Sequence, residues 1–434
     1  MKIKTFGEID QRALDQLKRC VEKGNADFAV LCADHHVGYS QPIGGAIAYE
    51  GFISPSGVGY DIGCGNKAVR TPLLAKNLDV PRAMDEIFRR ISFGVGRVND
   101  EKVDHPVLEE ISQAKVSYQK SMIQRAANQL GTVGSGNHYV DLFEDEEGYL
   151  WVGVHFGSRG FGHATASGFL ALSQGKGWGE KASEGEMDAP PTLFEIGSDL
   201  GEMYIEAMTL AGKYAYAGRD VVVDKVLEIL GTEAVEEVHN HHNFSWRERH
   251  FGKDYWVVRK GCTPAFPGQK GFVGATMGGV SVILEGMDTE LSAESLYSTV
   301  HGAGRVMSRT QAAGKKKRIK VWACGNRDCK HSVPYFELKQ NETKPTCEKC
   351  RTKMHKWVEL REISNGLIDW EATQRDIKEK GIELRGAGAD EAPGAYKQLG
   401  DVLEAHGDTI KVLHKLRPIG VAMAGSDVFD PYKD

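Results

Sequence analysis

The chain has 434 residues, of which 41% are hydrophobic and 26% are charged, with a formal net charge of −6. This composition is typical of globular proteins and excludes a generally basic nucleic-acid coat, and no apolar run is long enough to cross a bilayer. The length favours one large catalytic domain with a small module, and eight cysteines, four of them at metal-ligand spacing, favour a reducing cytoplasmic location over a disulfide scaffold.

Runs of strands and runs of helices follow one another along the chain, which predicts an α+β fold. In chain order, the pattern predicts a helix at 8–24, a buried strand at 27–33, helices at 81–94 and 105–130, a strand at 151–156, helices at 190–219 and 221–231, and short strands over 255–300. A basic stretch at Lys315–Arg318 then opens a self-contained insert at 319–358. The sequence therefore predicts a core made of 1–318 and 359–434, with a small module between them.

A glycine-rich stretch at 57–65 (GVGYDIGCG) places Asp61 and Cys64 three residues apart. Both side chains bind divalent ions when ionised, and His138, His155 and His242 lie in settings that suit ligation. A thiolate can bridge two ions, so the five together indicate a two-metal centre for phosphoryl transfer, with Zn²⁺ or Fe²⁺ favoured by ligand softness. The plainer alternatives are a turn-capping aspartate, a buried thiol and structural histidines.

A second glycine-rich turn begins at His301 (HGAGRVMSR), and Arg305 and Arg309 follow it. Guanidinium groups match phosphate oxygens, and on a helix that starts after the turn the two arginines would share one face. Arg159, in the GSRG turn at 157–160, is a third candidate. An imidazole among such cations can act as a general acid or base, or can attack phosphorus directly. The alternative is that the arginines pair with surface carboxylates.

The cysteines of the insert have the spacing of a zinc ribbon. They form two pairs with 17 residues between them, Cys324 with Cys329 and Cys347 with Cys350. Each pair would form half of a tetrahedral Cys₄ site, and the metal would supply most of the folding free energy of so short a segment. His331 or His355 could replace one cysteine. The basic residues of the insert allow contact with RNA backbone, and solvated charge is an equally good interpretation.

Eight short motifs occur in a fixed order along the chain. They are PIGG at 42–45, GVGYDIGCG at 57–65, GSGNH at 134–138, HFGSRG at 155–160, HN at 242–243, RKG at 259–261, HGAGR at 301–305 and DEAPGAYK at 390–397. In content and in order they resemble the RtcB-type RNA-splicing ligases, and the resemblance covers most of the chain outside the ribbon. It implies a mixed α/β core built around sheets, with a deep metal-containing cleft.

The resemblance further implies an enzyme that joins an RNA 3′-phosphate or 2′,3′-cyclic phosphate end to a 5′-hydroxyl end, using GTP and two Mn²⁺ ions. By motif position, His301 would take the guanylyl group as a phosphoramidate. The implied metal ligands are Cys64 as the bridge, Asp61 and His138 on one ion, and His155 and His242 on the other. The implied RNA-phosphate contacts are Arg159, Arg305 and Arg309. By this analogy, Mn²⁺ replaces the softer ions that the ligand types alone favour.

The nucleotide contacts implied by the resemblance are Asn137, Asp141, Thr276, Gly302, Ala303 and Gly304. Asn137 would contact the guanylate phosphate. Asp141 stands where the family has a guanine-reading glutamate, and Thr276 belongs to GATMG at 274–278, where the family has Pro-Gly-Ser-Met-Gly. Met423 stands where the family has a base-contacting lysine. These differences leave open whether GTP, ATP or another nucleotide is used.

The sequence thus predicts an RNA-repair or RNA-splicing ligase whose partners are RNA and GTP, with no membrane partner. One alternative is a nucleotidyl-transferring end-processing or capping enzyme that acts on 3′-phosphates without ligation. The other is a non-catalytic RNA-binding protein that uses the ribbon and a decayed core. The complete set of metal-ligand and histidine candidates argues against decay, because binding alone does not need them.

Overall fold

The computed structural model describes residues 2–182, 187–326, 328–335, 344–426, 428 and 430. Residues 327 and 336–343 of the predicted insert lie outside the described residues. The described part contains both helices and several sheets, which confirms the predicted α+β class. No helix within these ranges combines the length and the hydropathy that a membrane span requires.

The strands match most of the predicted strand regions. In chain order they are β1 (Lys2–Thr5), β2 (Phe28–His36), β3 (Ile43–Tyr49), β4 (Phe52–Ile53), β5 (Gly65–Leu74), β6 (Tyr139–Glu144), β7 (Tyr149–Phe156), β8 (Phe194–Glu195), β9 (Glu236–His241), β10 (Asn243–His250), β11 (Lys253–Lys260), β12 (Cys262–Pro264), β13 (Lys270–Val273), β14 (Ser281–Gly286), β15 (Ser298–Val300), β16 (Lys315–Cys324), β17 (Ser332–Pro334), β18 (Met354–Ser364), β19 (Glu383–Ala387) and β20 (Ile410–Gly425).

The α-helices are α1 (Gln11–Gly24), α2 (Pro55–Val58), α3 (Val80–Arg90), α4 (Pro106–Ser112), α5 (Ser117–Ser121), α6 (Ile123–Gln129), α7 (Arg159–Ser173), α8 (Asp199–Leu230), α9 (Glu290–Glu294), α10 (Arg309–Ala313), α11 (Trp370–Glu379) and α12 (Leu399–Glu404). The prediction of two helices over 190–231 is wrong. A single helix, α8, begins where Ser198 Oγ accepts from Gly201 N and ends at Gly231, whose φ is 64°. Its cap fixes the start, because the Ser198 hydroxyl satisfies a free amide of the first turn.

Two large sheets form the core. One has five strands in the order β1-β2-β3-β11-β10, and the other has the order β13-β14-β20-β6-β7-β5-β9, with β19 paired to β20. Helix α8 packs on the larger sheet, where Val222 and Val226 join Val152 and Val154 of β7 in one buried cluster. On another part of α8, Tyr204 and Met208 are buried in a second cluster with residues of α1 and α7. The site described below lies where the two sheets meet.

The insert forms its own sheet, in the order β17-β16-β18. Strand β16 pairs antiparallel with β18 from Lys315 to Cys324, so the paired strands extend beyond the predicted bounds of 319–358 at both ends. The four cysteines lie at the end of the β16–β18 pair where Cys324 is opposite Met354, away from the end where Lys315 is opposite Ser364.

Candidate active site

Four neighbouring strands of the larger sheet bring their ends to one edge. β6 begins directly after His138, β7 contains His155 at its end, β5 begins directly after Cys64, and β9 ends directly before His242. Because these neighbours are antiparallel, the start of one strand lies beside the end of the next. The register places the four residues within two positions of one another along the strand pairs. His242 also connects β9 directly to β10 of the other sheet.

The loop from Asp61 to Cys64 is fixed by hydrogen bonds from several directions. Cys64 N donates to Asp61 O over 3.0 Å, and Cys64 O accepts from His242 N over 2.8 Å. The buried guanidinium of Arg219 donates to the carbonyl that precedes Cys64 over 2.9 Å. A Cβ at Gly157 would collide with the Asp61 carboxylate, so only glycine allows this close approach.

All five predicted metal ligands converge. Cys64 Sγ lies 3.2 Å from His155 Nε2 and 3.7 Å from His138 Nε2, and the donor atoms of these three residues lie within 4.8 Å of one another. Asp61 Oδ2 lies 3.1 Å from His138 Nε2. The ring centroid of His242 is 5.1 Å from that of His155.

The electrostatics of this cluster suit a cation. Burial, together with neighbouring positive charge, lowers the pKa of His155 and His242 well below the ordinary value, so both imidazoles are neutral and free to ligate. Burial opposes ionisation of Asp61, but the hydrogen bond and charge of His138 outweigh it and bring the pKa of Asp61 to about 2. Burial, and then the negative charge of Asp61, raise the pKa of the Cys64 thiol well above normal.

The donor atoms of the cluster fit a metal ion. His138 Nε2 faces Cys64 and Asp61, and His242 Nδ1 is buried with no hydrogen-bond partner among the residues that the structure describes. A buried polar atom without a partner is costly, and ligation would satisfy His242 Nδ1. A thiol, a carboxylate and three imidazoles form a donor set that divalent transition ions accept. A cation between them would also supply the positive charge needed to deprotonate Cys64.

His301 lies next to the cluster and is held by a buried carboxylate. Its ring centroid is 4.9 Å from that of His242. Asp34 Oδ2 lies 2.6 Å from His301 Nδ1 and also accepts from the backbone N–H of His301 over 3.0 Å and of Gly302 over 3.3 Å. Because an ionised carboxylate only accepts, this contact assigns the proton to Nδ1 and leaves the lone pair on Nε2.

Sequence reasoning missed Asp34. It lies in β2, is fully buried, and precedes His301 by 267 residues. Burial raises the pKa of its carboxyl, but the charge and hydrogen bonds of His301 outweigh burial and hold that pKa below its usual value. The available signal was a carboxylate within a run of otherwise apolar, buried strand residues, which is rare unless the charge is paired.

Arg159 lies at the start of α7, in the left-handed region with a φ of 52°. Its guanidinium donates to Thr132 Oγ1 over 3.1 Å and to Gly94 O over 2.7 Å. A non-glycine residue in this conformation is held there by its surroundings, which is common at functional sites. Arg159 is therefore fixed close to the Asp61 side of the cluster, where Gly134 packs against both Arg159 and His138.

Arg305 and Arg309 pair with carboxylates, as the alternative interpretation had it, although these carboxylates are largely buried. Arg305 Nη1 lies 3.1 Å from Glu391 Oε2. Arg309 Nη2 lies 3.0 Å from Asp390 Oδ2, and its Nη1 lies 2.8 Å from Asp430 Oδ2. The two arginines do not share a helix face, because α10 begins only at Arg309. Their predicted role in binding RNA phosphate stays a prediction.

Several predicted nucleotide contacts surround the His301 turn. Gly274 pairs with Gly302 through an isolated bridge, which brings the turn of Thr276 beside it. Gly304 has a φ of 79° and packs against the Asp34 carbonyl so closely that a Cβ would collide with it. Ala303 is buried, while Asn137 is exposed directly before His138.

Asp141 and Met423 lie on the paired strands β6 and β20. Met423 is opposite Tyr139, and Asp141 is opposite Val421, so all four face the same side of the sheet. Asp141 is buried and its Oδ1 has no hydrogen-bond partner in the described part of the chain. Burial raises the pKa of Asp141 well above the usual value.

The four ribbon cysteines also converge. Cys324 Sγ lies 3.2 Å from Cys350 Sγ, and Cys329 Sγ lies 3.8 Å from Cys347 Sγ, with all four sulfurs within 4.8 Å of one another. Zinc–sulfur bonds of about 2.3 Å in a tetrahedron require sulfurs about 3.8 Å apart, so the cluster fits Zn²⁺. His331 instead lies 3.2 Å from Glu348.

The site combines a cluster of thiol, carboxylate and imidazole groups with a histidine that is held by a carboxylate. This combination is suited to metal-dependent nucleotidyl or phosphoryl transfer. The chain belongs to the RtcB family, since the family model described as tRNA-splicing ligase RtcB matches residues 20–324. It is 33% identical to the RNA-splicing ligase RtcB of Escherichia coli over 64% of this chain and 74% of the relative. The chain is 29% identical to the tRNA-splicing ligase RtcB of Archaeoglobus fulgidus, over 97% of this chain and 95% of the relative. It is 28% identical to the tRNA-splicing ligase RtcB of Thermococcus kodakarensis, over 91% of this chain and 87% of the relative.

Proposed function

We propose that this chain is an RNA ligase that joins an RNA 3′-phosphate or 2′,3′-cyclic phosphate end to a 5′-hydroxyl end. GTP is the activating nucleotide, two Mn²⁺ ions occupy the active site and one structural Zn²⁺ occupies the ribbon. Membership of the RtcB family supports RNA ligation. The observation that carries the chemistry is His301, whose Nδ1 lies 2.6 Å from Asp34 Oδ2 and whose ring faces His242 of the metal cluster.

His301 is the proposed nucleophile. With Nδ1–H donated to Asp34, Nε2 holds the lone pair that attacks the α-phosphorus of GTP. The bond to pyrophosphate breaks as the nitrogen–phosphorus bond forms, which leaves guanylylated His301. The imidazole becomes positive during this attack, and the buried Asp34 carboxylate stabilises that charge at short range.

The later steps transfer the guanylyl group and then release it. An oxygen of the RNA 3′-phosphate attacks the guanylyl phosphorus and displaces His301, which activates the RNA end. The 5′-hydroxyl of the other RNA then attacks the RNA phosphate, and GMP leaves. A cyclic phosphate end must first be hydrolysed to a 3′-phosphate.

Asp61, Cys64, His138, His155 and His242 would hold the metal ions, as the unpartnered Nδ1 of His242 and the donor types support. Bound divalent ions neutralise phosphate oxygens and lower the pKa of the attacking groups. The chain itself contributes the neutral imidazoles of His155 and His242, an ionised Asp61 and a fixed loop geometry. Arg159, Arg305 and Arg309 are the proposed RNA-phosphate contacts, and for the last two this requires exchange of carboxylate partners for phosphate.

The direct test is covalent labelling of the purified chain with α-labelled GTP and Mn²⁺, in parallel with α-labelled ATP. We expect an acid-labile label with GTP, lost in His301→Ala and retained in the control His414→Ala, which changes a histidine of β20 paired with Glu146. A label that survives His301→Ala would refute the covalent step. A label from ATP alone would keep the mechanism and change the nucleotide.

Product analysis separates the alternatives. A ligase converts a 3′-phosphate strand and a 5′-hydroxyl strand into one longer RNA. An end-processing or capping enzyme would label the 3′ end and yield no joined product. A non-catalytic RNA-binding protein would give neither a labelled chain nor a labelled RNA.

A further inference from the structure

The sheet of the insert has two faces that differ in charge. Directly opposite residues of antiparallel strands share a face, and the register places Lys320 opposite Val358 and Trp322 opposite Lys356. Tyr335 N donates to Lys320 O over 3.0 Å, which places Tyr335 beside them. The basic face is formed by Arg318, Lys320, Trp322, Tyr335, Lys356 and Val358. Three of these residues are cations.

The opposite face of the same sheet contains an ion pair. There Arg361 Nε lies 3.3 Å from Glu359 Oε2, and Ser332 donates to the same carboxylate over 2.7 Å. Lys320 and Lys356, by contrast, form no ion pair with any carboxylate in the part of the chain that the structure describes. These two lysines therefore present positive charge that no ion pair of the described residues compensates.

Aromatic rings accompany that charge. The rings of Trp322 and Tyr335 lie 5.0 Å apart, and Lys356 Nζ lies 5.6 Å and 5.3 Å from their centroids. Val358 beside them is 50% exposed, an unusual position for a β-branched apolar side chain. Surfaces that bind single-stranded nucleic acid combine cations, which contact phosphates, with aromatic and apolar side chains, which contact bases.

The insert leaves the core at the edge of the active site. It follows α10, whose first residue is Arg309, and after β18 the chain returns to the same helix. There Leu367 N donates to Gln311 O over 2.9 Å, and Ile368 N donates to Ala312 O over 3.1 Å. Lys320 follows Arg309 by 11 residues, so the two lie at most about 38 Å apart. A span of that size corresponds to at most about 11 nucleotides of a stacked strand at about 3.4 Å each.

We propose that the basic face is a docking surface for the body of the RNA substrate, within about ten nucleotides of the end that is joined. This inference rests on the proposed function, because it takes the RNA end to lie at the His301 site. The occupant is RNA because the face offers cations, aromatic rings and exposed apolar surface together. The ribbon thus selects RNAs long enough to reach it.

The test compares binding of 3′-phosphate RNAs of about 6 and about 30 nucleotides by the full chain at several salt concentrations. In Lys320→Glu/Lys356→Glu we expect at least about tenfold weaker binding of the long RNA, with the slope of log affinity against log salt reduced by about 1.4, from two contacts of about 0.7 each. Short-RNA binding and labelling of His301 by GTP stay unchanged. The matched control is Lys23→Glu/Lys411→Glu, which reverses two exposed core lysines and leaves both RNAs unaffected.

Zinc content, measured on each variant, shows that the ribbon is folded. If the glutamate pair loses zinc, Lys320→Gln/Lys356→Gln replaces it, with the same reduction of the salt slope expected. The proposal would be overturned if a variant that retains zinc bound the long RNA with the affinity and salt slope of the unchanged protein. It would also be overturned if the unchanged protein bound the two RNA lengths equally. Absence of GTP labelling in the unchanged protein would instead refute the proposed function.

Discussion

Replacement of Asp34 by asparagine tests whether the buried carboxylate assists the chemistry of His301. The substitution keeps the volume of a fully buried side chain and removes its charge. The amide oxygen can still accept from the backbone N–H groups of His301 and Gly302, which bond Asp34 at 3.0 Å and 3.3 Å. All three contacts are made to Oδ2, so an amide oxygen at that position keeps them, and the change mainly removes the negative charge that faces His301 Nδ1 at 2.6 Å.

The magnitude follows from that one contact. The two backbone bonds are equally strong in the ground and transition states, so they affect stability and leave the rate unchanged. The contact with Nδ1 strengthens as the imidazole gains positive charge, and a hydrogen bond to a charged group contributes about 1.5–3 kcal/mol. Loss of the charge that strengthens this bond should slow guanylylation of His301 about 10- to 150-fold in Asp34→Asn.

The assay is single-turnover labelling with GTP and Mn²⁺, in which the rate falls and the final yield is retained. A rate within about twofold of the unchanged protein would refute the electrostatic role of Asp34. Stability has its own pH signature, because the pKa of Asp34 lies below its usual value. The destabilisation caused by Asp34→Asn should be full above pH about 3.9 and should diminish as the pH falls through the lower native pKa.

Three further changes separate the two metal sites and the arginine pairs. In Cys64→Ala, metal analysis should show less bound manganese while the ribbon zinc stays at one per chain, and labelling by GTP should be abolished. An unchanged manganese content would exclude Cys64 as a ligand. Cys347→Ser should lose that zinc and melt the ribbon while labelling stays within about twofold, since structural zinc sites require all four ligands; retained zinc would contradict the Cys₄ site. Asp430→Ala removes a partner of Arg309 at 2.8 Å and should tighten RNA binding up to about fivefold, the value of an ion pair near 1 kcal/mol, whereas weaker binding would indicate a purely structural role.

Local patterns in the sequence predicted the elements that carry their own signals. The amphipathic helix near residues 8–24 and the strand near 151–156 appear as α1 and β7 because their periodicity is set by burial on one face. Helix α7 was missed, since GFGHATASG mixes small residues and glycine with no regular apolar stripe. The break expected near residue 220 within α8 is absent. This helix is buried on several sides, so its sequence lacks the contrast between an apolar and a polar face from which helix bounds are predicted.

The candidate site shows where sequence reasoning stops. His138, His155 and His242 were selected because glycine-rich or histidine-rich motifs surround them, and the strand order of the larger sheet brings them together with Cys64. Asp34 has no such motif, and its partner is 267 residues away. Pairing across that separation depends on β2 lying beside β15, a contact that no local pattern specifies. The burial of a charge is therefore the transferable signal: a carboxylate inside an apolar strand must have a partner, and in this chain that partner is the histidine proposed to carry the reaction.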